Sequence, residues 1–380
     1  MAQEHVGTPH RTPHPSAPET PANAGDNGPT AGPVPDLDSW TPRISVLVPA
    51  YNAAATLGAT LTSLLVADYP DLEVIVVDDG SQDATAELAA VYARHWPEGN
   101  STGRCVRVIR QENKGIAGAR NAAIAVATGA FYALVDADDQ VMPDYFITSL
   151  RALRRAGADP RYFDPRRSRK IVANNAYLLT PSGINRGRVL LREPLPAPEQ
   201  QPSRILTDNV GSILSVFPRE LIEQVGPFDE QLRYCEDWDL WIRAVRAGWR
   251  IVRQNRPTAL YRWTGGSASS ERSPMYRAQE IVLRKALTAG GLTDEERDRL
   301  TARLSGASPS AMMAEVEMAL RRGEYRQAGR RLREASRQLP TQRRVRLKAW
   351  ATRIPGGTRL LGRRQRTLDA RVGFVESMQR

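Results

Sequence analysis

Four times between residues 44 and 139 a short run of β-branched and aliphatic residues stops abruptly at a polar cluster. The runs are 44–48, 72–77, 106–109 and 131–135, and the clusters after them are 49–52, 78–81, 113–114 and 136–139. Between the runs lie segments of helical spacing: Leu57, Leu61, Leu64 and Leu65, then Leu88 and Val91, then the small residues of 116–127. This alternation predicts an α/β fold, a mostly parallel sheet with helices on its faces. Each polar cluster then falls just past the carboxyl end of a strand, the edge at which open α/β sheets bind ligands. Four separate segments are therefore expected to meet in one crevice.

The fourth cluster says most about chemistry. Asp136, Asp138 and Asp139 place three carboxylates within four positions, directly after the apolar run Phe131 to Val135. Such crowding suits a divalent cation, Mg²⁺ or Mn²⁺, that neutralises the acids and commonly carries a phosphate; the plain alternative is an acidic turn in solvent. No glycine fingerprint follows the first strand and no phosphate-loop Lys-Ser/Thr is present, which sets aside hydride transfer and NTP hydrolysis. Of four histidines, His5, His10 and His14 lie near the N-terminus and only His95 in the body, so a histidine metal site or a Ser-His-Asp triad is not expected. Cys105 and Cys235 read as bystander thiols in a reducing compartment. Catalysis falls to carboxylates.

The remaining chain divides by composition. Residues 1–41, rich in Pro, Gly, Ala and Thr, read as a disordered tail. A helix is expected from Pro143 to about residue 156, then a polar insertion at 159–169 and a strand at 171–179. The Pro-containing stretch 181–202 is either a lid or acceptor-contacting segment or a solvated loop. A strand-like run at 209–217 precedes a short helix, 219–225, that ends at Gly226. The next helix opens with Glu236, Asp237 and Asp239 in its first turn, where acids can serve as helix-capping charges or as chemistry.

From residue 274 the pattern is helical, and 314–323 with 324–335 forms one helix pair. Its Gly323, Tyr325 and Ala328 spacing is similar to a single tetratricopeptide unit, but without a second copy it reads as a packing appendage. The net charge of +11 is concentrated late, with 21 Lys and Arg against 10 acids in residues 291–380. Residues 341–380 alone hold 11 basic and 2 acidic side chains, interleaved with Trp350, Leu360, Leu361 and Phe374. That tail is either a contact for anionic lipid or a solvated arm; specific nucleic-acid binding is not expected, since no recognition motif accompanies the charge. No run reaches the roughly 18 to 20 apolar residues of a membrane span. A cytoplasmic location, with peripheral contact at the inner face of the membrane, is the expectation.

Taken together, these residues resemble the family 2 glycosyltransferases of GT-A fold, over about residues 43 to 265. The resemblance rests on Val48-Pro49-Ala50-Tyr51-Asn52, Val76-Val77-Asp78-Asp79-Gly80-Ser81, Asn113-Lys114-Gly115 with Ala119-Arg120-Asn121, Asp136-Ala137-Asp138-Asp139, and Val225-Gly226-Pro227-Phe228-Asp229-Glu230 followed by Glu236-Asp237-Trp238-Asp239-Leu240. It implies an inverting transfer of a sugar from a nucleoside diphosphate sugar to a hydroxyl on a glycan, lipid-linked or small-molecule acceptor, in cell-envelope or polysaccharide assembly. By the same resemblance Pro49 and Tyr51 frame the nucleoside, Asp79 accepts a hydrogen bond from the base, and Asp136 lies near the ribose. Asp138 and Asp139 fall at the metal, Arg120 at the diphosphate, and Asp237 matches the catalytic base. Glu236 and Trp238 fall on the acceptor side, while Trp241 and Trp249 are expected in the core.

Relatives often close this domain with Tyr-Arg-x-His, where this chain has Tyr261-Arg262-Trp263-Thr264 and no histidine for the metal or diphosphate. Two rivals follow: an inactive glycosyltransferase-like binding module, which that missing histidine favours, and a nucleotidyltransferase, which the lack of a glycine-rich loop after the first strand disfavours. The expected organisation is a tail at 1–41, the GT-A domain at 42–270, a helical appendage at 271–340 and a basic tail at 341–380.

Overall fold

The computed structural model of the chain describes residues 41–156, 169–263, 272–305, 315–316, 319–320, 322–338 and 343–364. The expectations for 1–40, for most of the polar insertion, and for the last sixteen residues with Phe374 lie outside these.

Strands β1 (Ile44–Ala50) and β2 (Leu72–Asp78) are buried along their whole length. Both faces of such strands meet helices, so their sequences run apolar without alternation. Helices α1 (Leu57–Leu65), α2 (Thr85–His95) and α3 (Gly115–Val126) connect β1, β2, β3 (Arg104–Arg110) and β4 (Phe131–Leu134). Helix α2 packs less deeply than its periodicity predicts: Ala89 is buried, whereas Val91 faces solvent at 39% exposure.

Those four strands are parallel, in the order β3-β2-β1-β4. The chain winds outward from β1 to β3 and then returns to the other side of β1. The order therefore reverses between β1 and β4, and a reversal leaves an open crevice at the carboxyl ends of these two strands. Beyond β4 the sheet becomes mixed. It continues with β8 (Ser215–Pro218), β6 (Lys170–Thr180), β9 (Arg250–Arg262) and the short β5 (Gln140–Val141). Strand β8 runs antiparallel to both β4 and β6, while β6 and β9 are parallel.

Two sequence expectations change here. The stretch 181–202 is not one long loop, because β7 (Gly183–Val189) turns back onto β6 as a hairpin. The strand-like run at 209–217 forms β8 only from Ser215, and the residues before it are loop.

The core lies on both faces of the sheet. One side is filled from α1 and from α4 (Tyr145–Arg155), with Leu61, Leu64, Phe146 and Leu153. The other is filled by α3 and by the later helices α5 (Gln201–Arg204), α6 (Glu220–Val225) and α7 (Glu236–Arg246). Trp241 and Trp249 are buried in this second side, Trp241 edge-on to Phe217. Helices α8 (Arg272–Thr288) and α9 (Asp294–Leu304) add Val282, Leu283, Ala286 and Leu300 to the same core. A separate cluster, including Val316, Leu320, Leu332 and Ala349, belongs to α10 (Tyr325–Gln338) and α11 (Arg343–Ala351) with the residues before them.

Two acids of β2 are fully buried, Asp78 at its carboxyl end and Glu73 within it. Glu73 of β2 is fully buried, and takes hydrogen bonds from Ser45 at 2.6 Å, Arg107 at 2.9 Å and the Thr128 backbone at 2.8 Å. Burial opposes its charge, but these donors outweigh burial and hold the carboxyl below its ordinary range.

Candidate active site

The reversal between β1 and β4 opens into a cleft of about 1400 Å³. All four polar clusters reach it, through Pro49 and Tyr51, Asp79, Asn113 and Lys114, and Asp136 and Asp138. Its lining also includes Asn209, Glu236, Asp237 and Trp238, together with Met275, Gln279 and Arg303 from the later helices.

Tyr51 is half exposed and presents an open ring beside Pro49. Asp79 at the end of β2 is buried and ties two clusters together. Its Oδ1 accepts from Gln111 Nε2 at 2.7 Å and from the Lys114 backbone at 2.8 Å, and its Oδ2 accepts from the Gly115 backbone at 2.8 Å. The Lys114 and Gly115 N–H groups lie at the start of α3 without intrahelical partners, so Asp79 caps that helix at the floor of the cleft.

The first turn of α7 separates its three acids into distinct roles. Asp239 turns inward to Arg243 at 2.9 Å and Lys285 at 2.6 Å, binding α7 to α8. Glu236 takes 2.5 Å contact from the buried Arg120 guanidinium. Asp237 lines the cleft and accepts from Asn209 Nδ2 at 2.9 Å. Burial pushes the Asp237 carboxyl above its ordinary value, while Asn209 and Arg120 pull it back. Cys235, just before them, holds a left-handed backbone at φ 61° that starts the helix at the cleft wall.

Arg120 lies behind the cleft rather than on its surface. It is fully buried, reaches Asp136 at 2.6 Å with its other amino group, and lies 5.4 Å from the Phe228 ring centre. The small residues Ala117, Ala119 and Ala123 let α3 pack closely on the sheet beside it. A side chain expected at the diphosphate thus touches the two carboxylates that flank the cleft.

Asp138 stands at the cleft, where burial first and the neighbouring Asp136 second push its carboxyl up to about 6. Asp139, the other acid expected at the metal, lies behind it, 1% exposed, with Oδ1 on the Arg262 backbone at 2.8 Å. Arg262 also donates through Nε to the Asp138 carbonyl at 2.9 Å, so β9 braces the turn that carries these acids. The donor set here is all oxygen and carries excess negative charge, which fits a hard divalent cation. Among the described residues no group of three or more His, Cys, Asp or Glu side chains could hold a metal ion. A cation bound here would complete its shell with substrate and water, as Mg²⁺ commonly does.

Trp238 borders the cleft but is mostly core. It is 3% exposed, its indole N–H donates to the Ile205 carbonyl at 2.8 Å, and Arg303 lies over its ring. Sequence reasoning missed Asn209, Arg262 and Arg303 as site residues. The adjacent polar pair Asp208-Asn209 was a signal for the first; Arg303, 66 positions beyond Asp237, becomes visible only through the packing of α9.

The family model for glycosyl transferase family 2 matches residues 45–187. The succinoglycan biosynthesis protein ExoO of Rhizobium meliloti is 30% identical over 266 residues, 66% of this chain and 70% of that protein. An uncharacterized glycosyltransferase of Escherichia coli, YibD, is 40% identical over 108 residues, but the match spans only 28% of this chain and 29% of that one. Among solved structures, the mannosyltransferase PcManGT of Pyrobaculum calidifontis, in complex with GDP-Man and Mn²⁺, superposes with a TM-score of 0.53 at 21% identity, covering 87% of this chain and 89% of that one, a likeness of GT-A fold. By the family model and the extent of the match to ExoO, this chain belongs to glycosyl transferase family 2.

Proposed function

We propose that the cleft binds a nucleoside diphosphate sugar and passes its sugar, with inversion, to an acceptor hydroxyl deprotonated by Asp237. The observation that carries this reading is the division of acids across one cleft, Asp136 and Asp138 on the β4 side and Asp237 on the α7 side. Inversion requires that leaving group and attacking hydroxyl lie on opposite faces of the sugar, and carboxylates carried by two separate elements, the turn after β4 and the start of α7, can serve one each.

Tyr51 and Pro49 bracket the nucleoside, and Asp79, with one acceptor site left on Oδ2, accepts an N–H from the base. Asp136 meets the ribose, and Asp138 is the direct ligand of Mn²⁺ or Mg²⁺, with Asp139 supporting from behind through Arg262. When bound, the cation neutralises the charge that grows on the departing diphosphate. Arg120 fixes Asp136 and Glu236 in place. Asp237, its carboxyl raised by burial, is a stronger base than a solvated aspartate and takes the acceptor proton late in an oxocarbenium-like transfer. Glu236 and the rim of Trp238 border the acceptor side. The presence of ExoO among the relatives supports a role in polysaccharide or cell-envelope assembly, and the complex of PcManGT supports the metal. No helix among the described residues is long and apolar enough to cross a membrane, so we place the enzyme in the cytoplasm, with any lipid-linked acceptor met at the membrane face.

Calorimetric titration with UDP, GDP, dTDP and CDP, first with Mn²⁺ and then with chelator, tests the donor site. Metal-dependent binding with preference for one base is expected. Binding to none of the four contradicts the reading and leaves the inactive relative in its place.

A further inference from the structure

The cleft does not account for one other surface. Helix α11 packs inward through Val345 and Ala349, and α10 meets it with Ala328, Leu332 and Ala335, so the apolar needs of this pair are satisfied on the inner seam. The outer face of α11 nevertheless carries Leu347 and Trp350, 65% and 60% exposed, with exposed Ile354 and Leu360 following. Beside them runs a groove of about 900 Å³ bordered by Arg333 and Arg337 of α10 and by Arg346 and Arg353, with no acid among the described residues that line it.

Large apolar side chains gathered on an outer face, and not needed for packing, mark a surface that meets something apolar. Guanidinium groups around them require that it also be anionic. A polyanionic glycan or a nucleic acid meets the second demand but leaves Leu347, Ile354 and Leu360 in water. The headgroup layer of an anionic bilayer meets both, taking indole and aliphatic side chains at the acyl boundary while arginines reach lipid phosphates. We propose that the outer face of α10 and α11 docks this protein peripherally on an anionic phospholipid bilayer, through Leu347, Trp350, Arg337 and Arg353. This surface is independent of the transfer reaction and does not rest on it.

The test is flotation of the full chain with vesicles of phosphatidylcholine alone and with a third of phosphatidylglycerol added. Binding to the anionic vesicles only, reduced on adding salt, is expected, with partition falling roughly tenfold or more in Leu347→Ser/Trp350→Ser and in Arg337→Glu/Arg353→Glu. All four side chains are on the outside, and unchanged thermal unfolding of the variants shows that they fold. Asp237→Asn should float like the parent, which separates this surface from the active site. Equal binding to both vesicles, binding to neither, undiminished binding by Leu347→Ser/Trp350→Ser, or self-association of the parent that the same substitutions abolish would each overturn the proposal.

Discussion

Arg120 and Glu236, 116 positions apart in sequence, meet at 2.5 Å in the interior, and the same guanidinium holds Asp136 at 2.6 Å. One buried cation thus ties the donor side of the cleft to the helix that carries Asp237. Removing one member of a buried ion pair leaves the others desolvated and unpaired, at a cost of about 3–5 kcal/mol. Arg120→Met is expected to lower stability by about that amount in urea unfolding. Arg120→Lys should rescue little, because one ammonium cannot span both carboxylates with the planar fork of an arginine.

Asn209 donates to the Asp237 carboxylate and so favours its charged form. Asn209→Ala removes that donor, which raises the Asp237 pKa further. The acidic limb of the pH–rate profile should move to higher pH, with little change in nucleotide affinity. An unmoved limb would mean that another group sets it.

Asp138 allows a linkage test with a definite sign. Its carboxyl is raised from 3.8 to about 6, so between these values the folded protein keeps a proton that the unfolded chain has released. Stability contributed at this site therefore declines as pH rises through that window and is fully lost above it. Asp138→Asn should gain on the parent by the order of 1 kcal/mol across the window, a figure reduced for partial exposure of the group. Mn²⁺ should reverse the comparison above the window, raising the melting temperature of the parent and not of the variant.

Gly211 borders the cleft against the core. A Cβ there would lie 2.5 Å from Cδ1 of the buried Trp241. Trp241 is held edge-on to Phe217 and has little room to yield. Gly211→Ala should cost about 1–3 kcal/mol in overpacking. Because the same loop carries Asn209, transfer should weaken as well, which kinetic assay of the folded variant would show.

The first four strands and their polar ends were legible because each is a local signal, an apolar run stopped by a polar turn, and the parallel order follows from the helices between. Roles within the site were less legible. Glu236, Asp237 and Asp239 look alike in sequence, and only their partners Arg120, Asn209 and Lys285, each from a distant segment, tell them apart. Arg120, expected at the diphosphate, is fully buried against Asp136 and Glu236, partners that its place in the sequence does not reveal. The hairpin at β7 was hidden because Pro and Gly in 181–202 suggest loop, while pairing with β6 overrides that preference.

If Asp237 is the base, Asp237→Asn removes the proton acceptor while leaving the nucleotide site intact. Nucleoside diphosphate affinity in the presence of Mn²⁺ and the rate of nucleoside diphosphate release from the preferred donor should be measured side by side with the parent. A role as base predicts affinity within about twofold of the parent and release slowed by about a hundredfold or more, the scale of a lost general base. Release at the parental rate by a variant that still binds the nucleotide would contradict it.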